Sequence, residues 1–233
     1  MTYEDNIRGK HLTIFYPDTA VEEKPLPVVF LHSFEREGNR VMKAYQDLEE
    51  AHQAMILVSI DITDWDQDMS PWPHPAIYKK EPPFPGGADD YLKDLVEGIV
   101  PETLERIRKA GFQPAYQVIA GYSLAGLFAL YSLYQTNIFS RCVSASGSMW
   151  YTDMISYVKE HTFPGKVDRI YFSLGDKEKK TRNIYMKEVE NATLKIKDYI
   201  HDLGIQTTFV SNPGNHFKDP ELRVAKGIAW ILQ

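Results

Sequence analysis

The stretch Val118-Ile119-Ala120-Gly121-Tyr122-Ser123-Leu124-Ala125-Gly126-Leu127-Phe128-Ala129-Leu130-Tyr131 decides the fold. An apolar, β-branched run leads straight into a serine flanked by small residues, and an apolar helical pattern follows. A strand, a tight turn and a helix in that order give the G-x-S-x-G pattern its chemical meaning. The backbone reverses so sharply at the serine that its neighbours tolerate little beyond Gly or Ala. Gly121 obeys this rule, and Ala125 stands at the second small position with Gly126 behind it. Such a turn exposes the Ser123 hydroxyl and aims the Leu124 N–H at a developing oxyanion. The competing reading is a serine N-cap that merely opens a helix, so the rest of the chain has to decide.

Outward from this segment, apolar runs alternate with longer helical patterns, the signature of a parallel sheet built from βαβ units. Strands are expected at residues 11–16, 27–32, 55–62, 117–120, 141–145, 169–174 and 207–211. Several are continuous apolar runs, as expected of strands covered on both faces. Helices are expected at residues 40–52, 88–110, 124–134, 183–203 and 220–232, the second bending at Pro101, which removes a backbone donor. Residues 63–87, dense in Pro and Trp and without a period, read as an ordered loop and one wall of a pocket. No composition shift or repeat divides the chain, so residues 1–233 are expected to form a single α/β domain.

A serine hydroxyl is a weak nucleophile near neutral pH. It needs a histidine to accept its proton and a carboxylate to hold the imidazole in the right tautomer. In the strand–turn–helix context the chain order is serine, acid, histidine. His216 lies between the last strand and the last helix in SNPGNHF, a turn-rich segment able to carry a side chain over the sheet edge. The acid is expected after the preceding strand, in FSLGDKE. Glu178 is the preferred residue. Asp176, or a Ser–His dyad with neither carboxylate, is the alternative. The second oxyanion donor is expected after the strand PVVFLHSF, at the Phe34 N–H. His32 reads as a strand-end structural residue with no catalytic role.

With 43 % hydrophobic and 25 % charged residues, the composition is that of a globular protein. The net charge of −6 argues against nucleic acid or an anionic membrane as partner. The basic cluster Lys177, Lys179, Lys180 and Arg182 reads as a solvated helix start. One cysteine, Cys142, allows no internal disulfide and reads as a core residue. The opening residues lack the pattern of a secretory signal, and no run reaches the roughly 20 apolar residues of a membrane span. A cytoplasmic protein is the expectation. Asp61, Asp64, Asp66 and Asp68 lack the glycine and distal glutamate of a calcium loop, so no metal and no cofactor are expected. Trp65, Trp72, Trp150 and Tyr122 are the candidate pocket-lining residues.

Taken together, GYSLAGLFALY at 121–131, SGSMW at 146–150, YFSLGDKEKKTRN at 171–183, NPGNHF at 212–217 and PGGADDYLKDLVEGIVP at 85–101 resemble the putative-esterase family of α/β-hydrolases. That family includes enterobactin-type siderophore esterases, S-formylglutathione hydrolase (esterase D) and feruloyl esterases. The resemblance extends from about residue 11 to residue 230 and is strongest to the siderophore-esterase branch, chiefly through SLGDKEKKTRN. It implies an α/β-hydrolase fold without a large separate lid domain. It also implies a serine esterase acting on a small-molecule ester, with Ser123 and His216 as nucleophile and base and Glu178 or Asp176 on the acid segment. Ala125, where the family mostly has glycine, and Leu31-His32-Ser33-Phe34 depart from its pattern. A thioester hydrolase and a non-catalytic hydrolase-fold binding protein are the alternative functions.

Overall fold

The computed structural model describes residues 1–17, 24–34, 36–49 and 53–233. Among the described residues, eight strands form one sheet: β1 (Thr2–Ile7), β2 (Lys10–Phe15), β3 (Leu26–Ser33), β4 (Ile56–Asp61), β5 (Pro114–Tyr122), β6 (Phe139–Ala145), β7 (Arg169–Gly175) and β8 (Gln206–Asn212). Their spatial order is β1-β2-β4-β3-β5-β6-β7-β8. From β4 through β8 every neighbouring pair is parallel, and β2 runs antiparallel to both β1 and β4.

Every expected strand falls on an observed one. β1 was not expected. Its sequence, TYEDNI, is mostly exposed, with only Ile7 buried, so no apolar run announces it. It is held by pairing with β2 through the turn at Arg8 and Gly9, whose φ values of 51° and 77° suit a tight hairpin.

Side chains alternate across the sheet and build two cores. Along β3, Val28 and Phe30 face one cluster while Val29 and Leu31 face the other. The second face is covered by α1 (Gly38–Gln46) and α8 (Pro220–Ile231), through Val41, Tyr45, Val224 and Ile228. The first face is covered by α3 (Ala88–Asp94), α4 (Val100–Lys109), α5 (Leu124–Gln135), α6 (Met154–Glu160) and α7 (Val189–Asp202). All of α5 from Leu124 to Tyr134 is buried, which is why its sequence is apolar on every side. Cys142 is buried within the first core.

The expected helix over residues 88–110 is continuous, but α3 and α4 are joined by a π-helical turn at Leu95–Ile99. Pro101 follows within the first turn of α4. A wider turn just ahead of a proline relieves the contact between its ring and the carbonyl four residues back. Residues 63–87 are more structured than expected. They contain the short helix α2 (Trp65–Met69) and a bridge between His74 and Phe84. The expected helix over 40–52 ends at Gln46, and residues 50–52 lie outside the described residues. The helix expected from residue 183 begins as a 3₁₀ turn at Met186–Glu188, where Asn183 Oδ1 accepts the Tyr185 and Met186 N–H groups. α6, short and with only Met154 and Val158 buried, was also unforeseen. Among the described residues, no helix is long and apolar enough to cross a membrane.

After β3 the chain steps to β4 on one side, then crosses back to β5 on the other side of β3. In parallel sheets the crevice at such a reversal, beyond the carboxyl ends of the strands, is where ligands bind. Ser33-Phe34 and Tyr122-Ser123 leave the sheet at this point.

Candidate active site

Ser123 links β5 to α5 with φ 59° and ψ −123°, a conformation that costs a non-glycine residue of the order of 1–3 kcal/mol. Its surroundings over-determine it. The Ser123 N–H donates to Ala145 O at 3.2 Å, and its carbonyl accepts from Gly126, Leu127 and Ser148 N–H groups at 3.0–3.2 Å. A Cβ on Gly121 would lie 2.3 Å from the Ala125 carbonyl oxygen, so glycine is required there. The Ala125 methyl group is accommodated and fully buried.

His216 occupies the loop between β8 and α8. Its Nε2 is 3.0 Å from Ser123 Oγ, and its Nδ1 is 2.8 Å from Glu178 Oε2. An ionised carboxylate only accepts, so Nδ1 carries the proton and Nε2 is left to accept from the serine hydroxyl. Glu178 reaches this position because β7 ends in a turn, Gly175 to Glu178, closed by the Glu178 N–H on Gly175 O at 3.1 Å. Its Oε1 accepts from the Gly175 N–H at 2.6 Å, the Ser146 hydroxyl at 2.8 Å and Arg223 Nη1 at 2.8 Å. Burial pushes the Glu178 carboxyl up. The hydrogen bond and charge of His216, with the Gly175 N–H and Ser146 hydroxyl, outweigh it, and the net shift is downward.

Asp176 faces elsewhere. Its Oδ1 accepts the Gly214 N–H at 2.8 Å, its own N–H donates to Asn212 O at 2.8 Å, and the Lys177 N–H donates to Gly214 O at 3.1 Å. These bonds lace the β7 turn to the histidine loop. Tyr122, one residue before the serine, donates to the His216 carbonyl at 2.6 Å. Burial pushes its phenol up to about 12, so it remains a donor.

Leu124 N opens α5. The Phe34 N–H faces Glu37 Oε2 at 3.5 Å, because the turn leading into α1 brings that side chain back over it. Phe34 itself is exposed, its ring edge-on to Trp65 at 5.8 Å. His32 is buried between Tyr91 and Phe128, and burial pushes its imidazole down to about 3, so the ring is neutral. The neighbouring Ser33 hydroxyl is turned towards Ser59 and Asp61.

Two cavities meet at Ser123 and His216. One, of about 340 Å³, has walls of Phe34, Glu37, Trp65, Tyr122, Phe217 and Pro220. The other, of about 270 Å³, is built largely from the 63–87 segment, through Asp66, Tyr78, Glu81 and Phe84, with Trp150 and Phe217 opposite. Trp65, Tyr122 and Trp150 thus line the cavities. Trp72 lines neither: its indole N–H donates to Thr152 O at 3.0 Å, and its ring packs against Tyr131, Tyr151 and Tyr157. Of the four clustered aspartates, Asp61 pairs with His11 and Asp68 with Lys10. No group of three metal-ligating side chains occurs among the described residues.

Sequence reasoning passed over Ser146 and Arg223. Ser146 lies inside the quoted SGSMW segment and carries a positive φ of 46°. A backbone strained at the carboxyl edge of a strand is the kind of local outlier that marks such positions. Arg223 carries no such mark, because a single arginine on an amphipathic helix reads as solvated.

Comparisons with known proteins bear on the family and the fold. The family model described as Putative esterase matches residues 7–218. An uncharacterised Bacillus subtilis protein, YbbA, is 19 % identical over 207 residues, covering 86 % of this chain and 82 % of its own. Among solved structures, an IroE-like serine hydrolase from Shewanella oneidensis superposes with a TM-score of 0.80 at 17 % identity, covering 100 % of this chain and 80 % of its own. The siderophore hydrolase EstA from Aspergillus nidulans gives a TM-score of 0.74 at 16 % identity, with 99 % and 93 % covered. At these identities the two structures speak for a shared fold, the α/β-hydrolase fold. With its family model matched over most of its length, this chain is an esterase and belongs to the putative-esterase family.

Proposed function

We propose that the protein is a serine carboxylic-ester hydrolase that forms an acyl-enzyme on Ser123, with residues 1–233 acting as one hydrolase domain. The observation that carries this reading is the unbroken line from Ser123 Oγ to His216 Nε2 at 3.0 Å and from His216 Nδ1 to Glu178 Oε2 at 2.8 Å. It starts from a serine held at φ 59°. Ser123 Oγ attacks the ester carbonyl carbon as its proton passes to His216 Nε2, and Glu178 stabilises the imidazolium. The Leu124 N–H at the head of α5 and the Phe34 N–H, once it turns from Glu37, receive the oxyanion. His216 then protonates the departing alcohol and activates the water that releases the acid. Ester and water supply every atom, so no cofactor enters the scheme.

The substrate is a small-molecule ester with a group for each of the two cavities. Fold relatives described as siderophore hydrolases, and the enterobactin esterase of Shigella flexneri, make siderophore esters a class to test. The direct experiment is hydrolysis of p-nitrophenyl acetate and butyrate, and of a siderophore trilactone, by wild type and Ser123→Ala. Loss of the nucleophile should lower turnover by a factor on the order of 10³ or more. Turnover surviving in Ser123→Ala, free of contaminants, would overturn the reading.

A further inference from the structure

Arg223, the fourth residue of α8, is 1 % exposed and needs an explanation, because burying a guanidinium is costly and its Nε–H has no hydrogen-bond partner among the described residues. All of its partners belong to the site. Nη1 donates to Glu178 Oε1 at 2.8 Å, to Ser146 Oγ at 2.9 Å and to Tyr122 OH at 3.2 Å. Nη2 donates to the carbonyls of Asn215 at 2.8 Å and Pro213 at 3.3 Å. One arm of the fork therefore holds the acid and the other holds the loop that carries His216. Resting on the triad reading above, we propose that Arg223 is the positioning residue that fixes Glu178 and His216 relative to each other and shares the Glu178 carboxylate with His216.

Two physical arguments support this. The guanidinium is planar and rigid, so bonds from its two ends fix the distance between two separate backbone segments, which a lysine ammonium on a flexible stem cannot do. The local chain is shaped around that fork: a Cβ on Gly175 would lie 2.8 Å from Nη2. The second argument is electrostatic. Arg223 and the His216 imidazolium bind opposite oxygens of the same carboxylate, so the guanidinium takes up part of the charge that would otherwise stabilise protonated His216. Other ionisable groups also face His216. Glu37, Asp66 and Glu81 line the cavities it borders, while Asp176 and Lys218 flank its loop at Gly214. Arg223 and Glu178 are the buried pair, with side chains 2 % and 5 % exposed, and are screened least by salt.

The test is the pH profile of kcat/KM for p-nitrophenyl butyrate with wild type, Arg223→Lys and Arg223→Met, each checked for folding by circular dichroism. In Arg223→Met the acid limb should move up by roughly one pH unit, the size expected for losing one buried charge several ångströms away. Its kcat should fall about tenfold or more while KM changes little, as for an interaction that matters in the transition state. Arg223→Lys keeps the charge and loses the fork, so it should lose kcat with its acid limb near the wild-type position. A folded Arg223→Met with wild-type kcat and an unmoved limb would overturn the inference. If that variant does not fold, an Arg223→Lys enzyme indistinguishable from wild type would do so. Ser123→Ala, measured alongside, keeps the two questions apart. Its loss of activity upholds Ser123 as the nucleophile even if Arg223 proves dispensable, and its activity would sink the triad itself.

Discussion

Gly175→Ala adds one methyl group to a residue that touches no substrate, yet the geometry makes it a severe lesion of the site. The new Cβ would sit 2.3 Å from Gly214 O and 2.8 Å from Arg223 Nη2. Approaches under 3.0 Å are essentially never seen, so the Gly214 carbonyl must retreat by about 0.7 Å or more, and backbone is costly to move. Gly214 is two residues from His216 and is tied to Asp176 through its N–H. Its retreat therefore lengthens the 3.0 Å Ser123–His216 contact. A displacement approaching 1 Å costs on the order of 10² in rate. The overpacking itself should destabilise the fold by about 1–3 kcal/mol. The assay is kcat on p-nitrophenyl butyrate together with urea unfolding. Gly204→Ala is the control: at φ 85° with nothing within 4 Å of the new carbon, it strains the backbone without touching the site. It should cost about 1 kcal/mol of stability and leave kcat near wild type. A Gly175→Ala enzyme with wild-type kcat would show that the Gly214 carbonyl can yield without disturbing His216.

The remaining predictions concern the carboxylates. Glu178→Gln should lower kcat by a factor on the order of 10³–10⁴, the loss seen when a triad acid can no longer fix the histidine tautomer. Asp176→Asn, which keeps an acceptor for the Gly214 N–H, should stay within about tenfold of wild type by the same comparison. Because the folded-state pKa of Glu178 is depressed, its charge stabilises the native state above the ordinary value of 4.5. That contribution disappears as pH falls through the lower folded value. Urea unfolding between pH 3 and 7 should therefore show a steeper acid loss in wild type than in Glu178→Gln. Glu37, Asp66 and Glu81 line the two cavities without a lysine or arginine among the described lining residues. A p-nitrophenyl ester with an anionic acyl chain should accordingly react several-fold more slowly than its neutral analogue at low salt, with the gap narrowing as salt rises.

Much of the fold could be read from the chain, for a physical reason. A central parallel strand is buried on both faces and advertises itself as an unbroken apolar run, as PVVF and YFSL do at β3 and β7. β1 pairs on one edge only and keeps every side chain but Ile7 at least partly in water, so no apolar alternation emerges from its polar residues. α2 and α6 are too short for a helical period to emerge.

At the candidate site, the strained turn at Ser123 was legible because such turns restrict composition around them, and the approach of His216 to it because chain order left one histidine in that loop. The distinction between Glu178 and Asp176 was not legible. Both sit in the same turn, and which one faces the imidazole depends on the Gly175–Glu178 closure and on Arg223, which lies far along the chain. Trp72, read as a pocket residue, lines neither of the two cavities described, because aromatic density in a loop does not say which face packs inward.

Nucleophilic attack by Ser123 leaves a product that covalent capture detects. The protein would be treated with an alkyl fluorophosphonate, its residual esterase activity followed, and the adduct mapped by mass spectrometry of peptides. One phosphonyl group per chain is expected on the peptide containing Ser123, with activity falling in proportion to labelling and no labelling of Ser123→Ala. An adduct on another residue, or full turnover by quantitatively labelled protein, would contradict it.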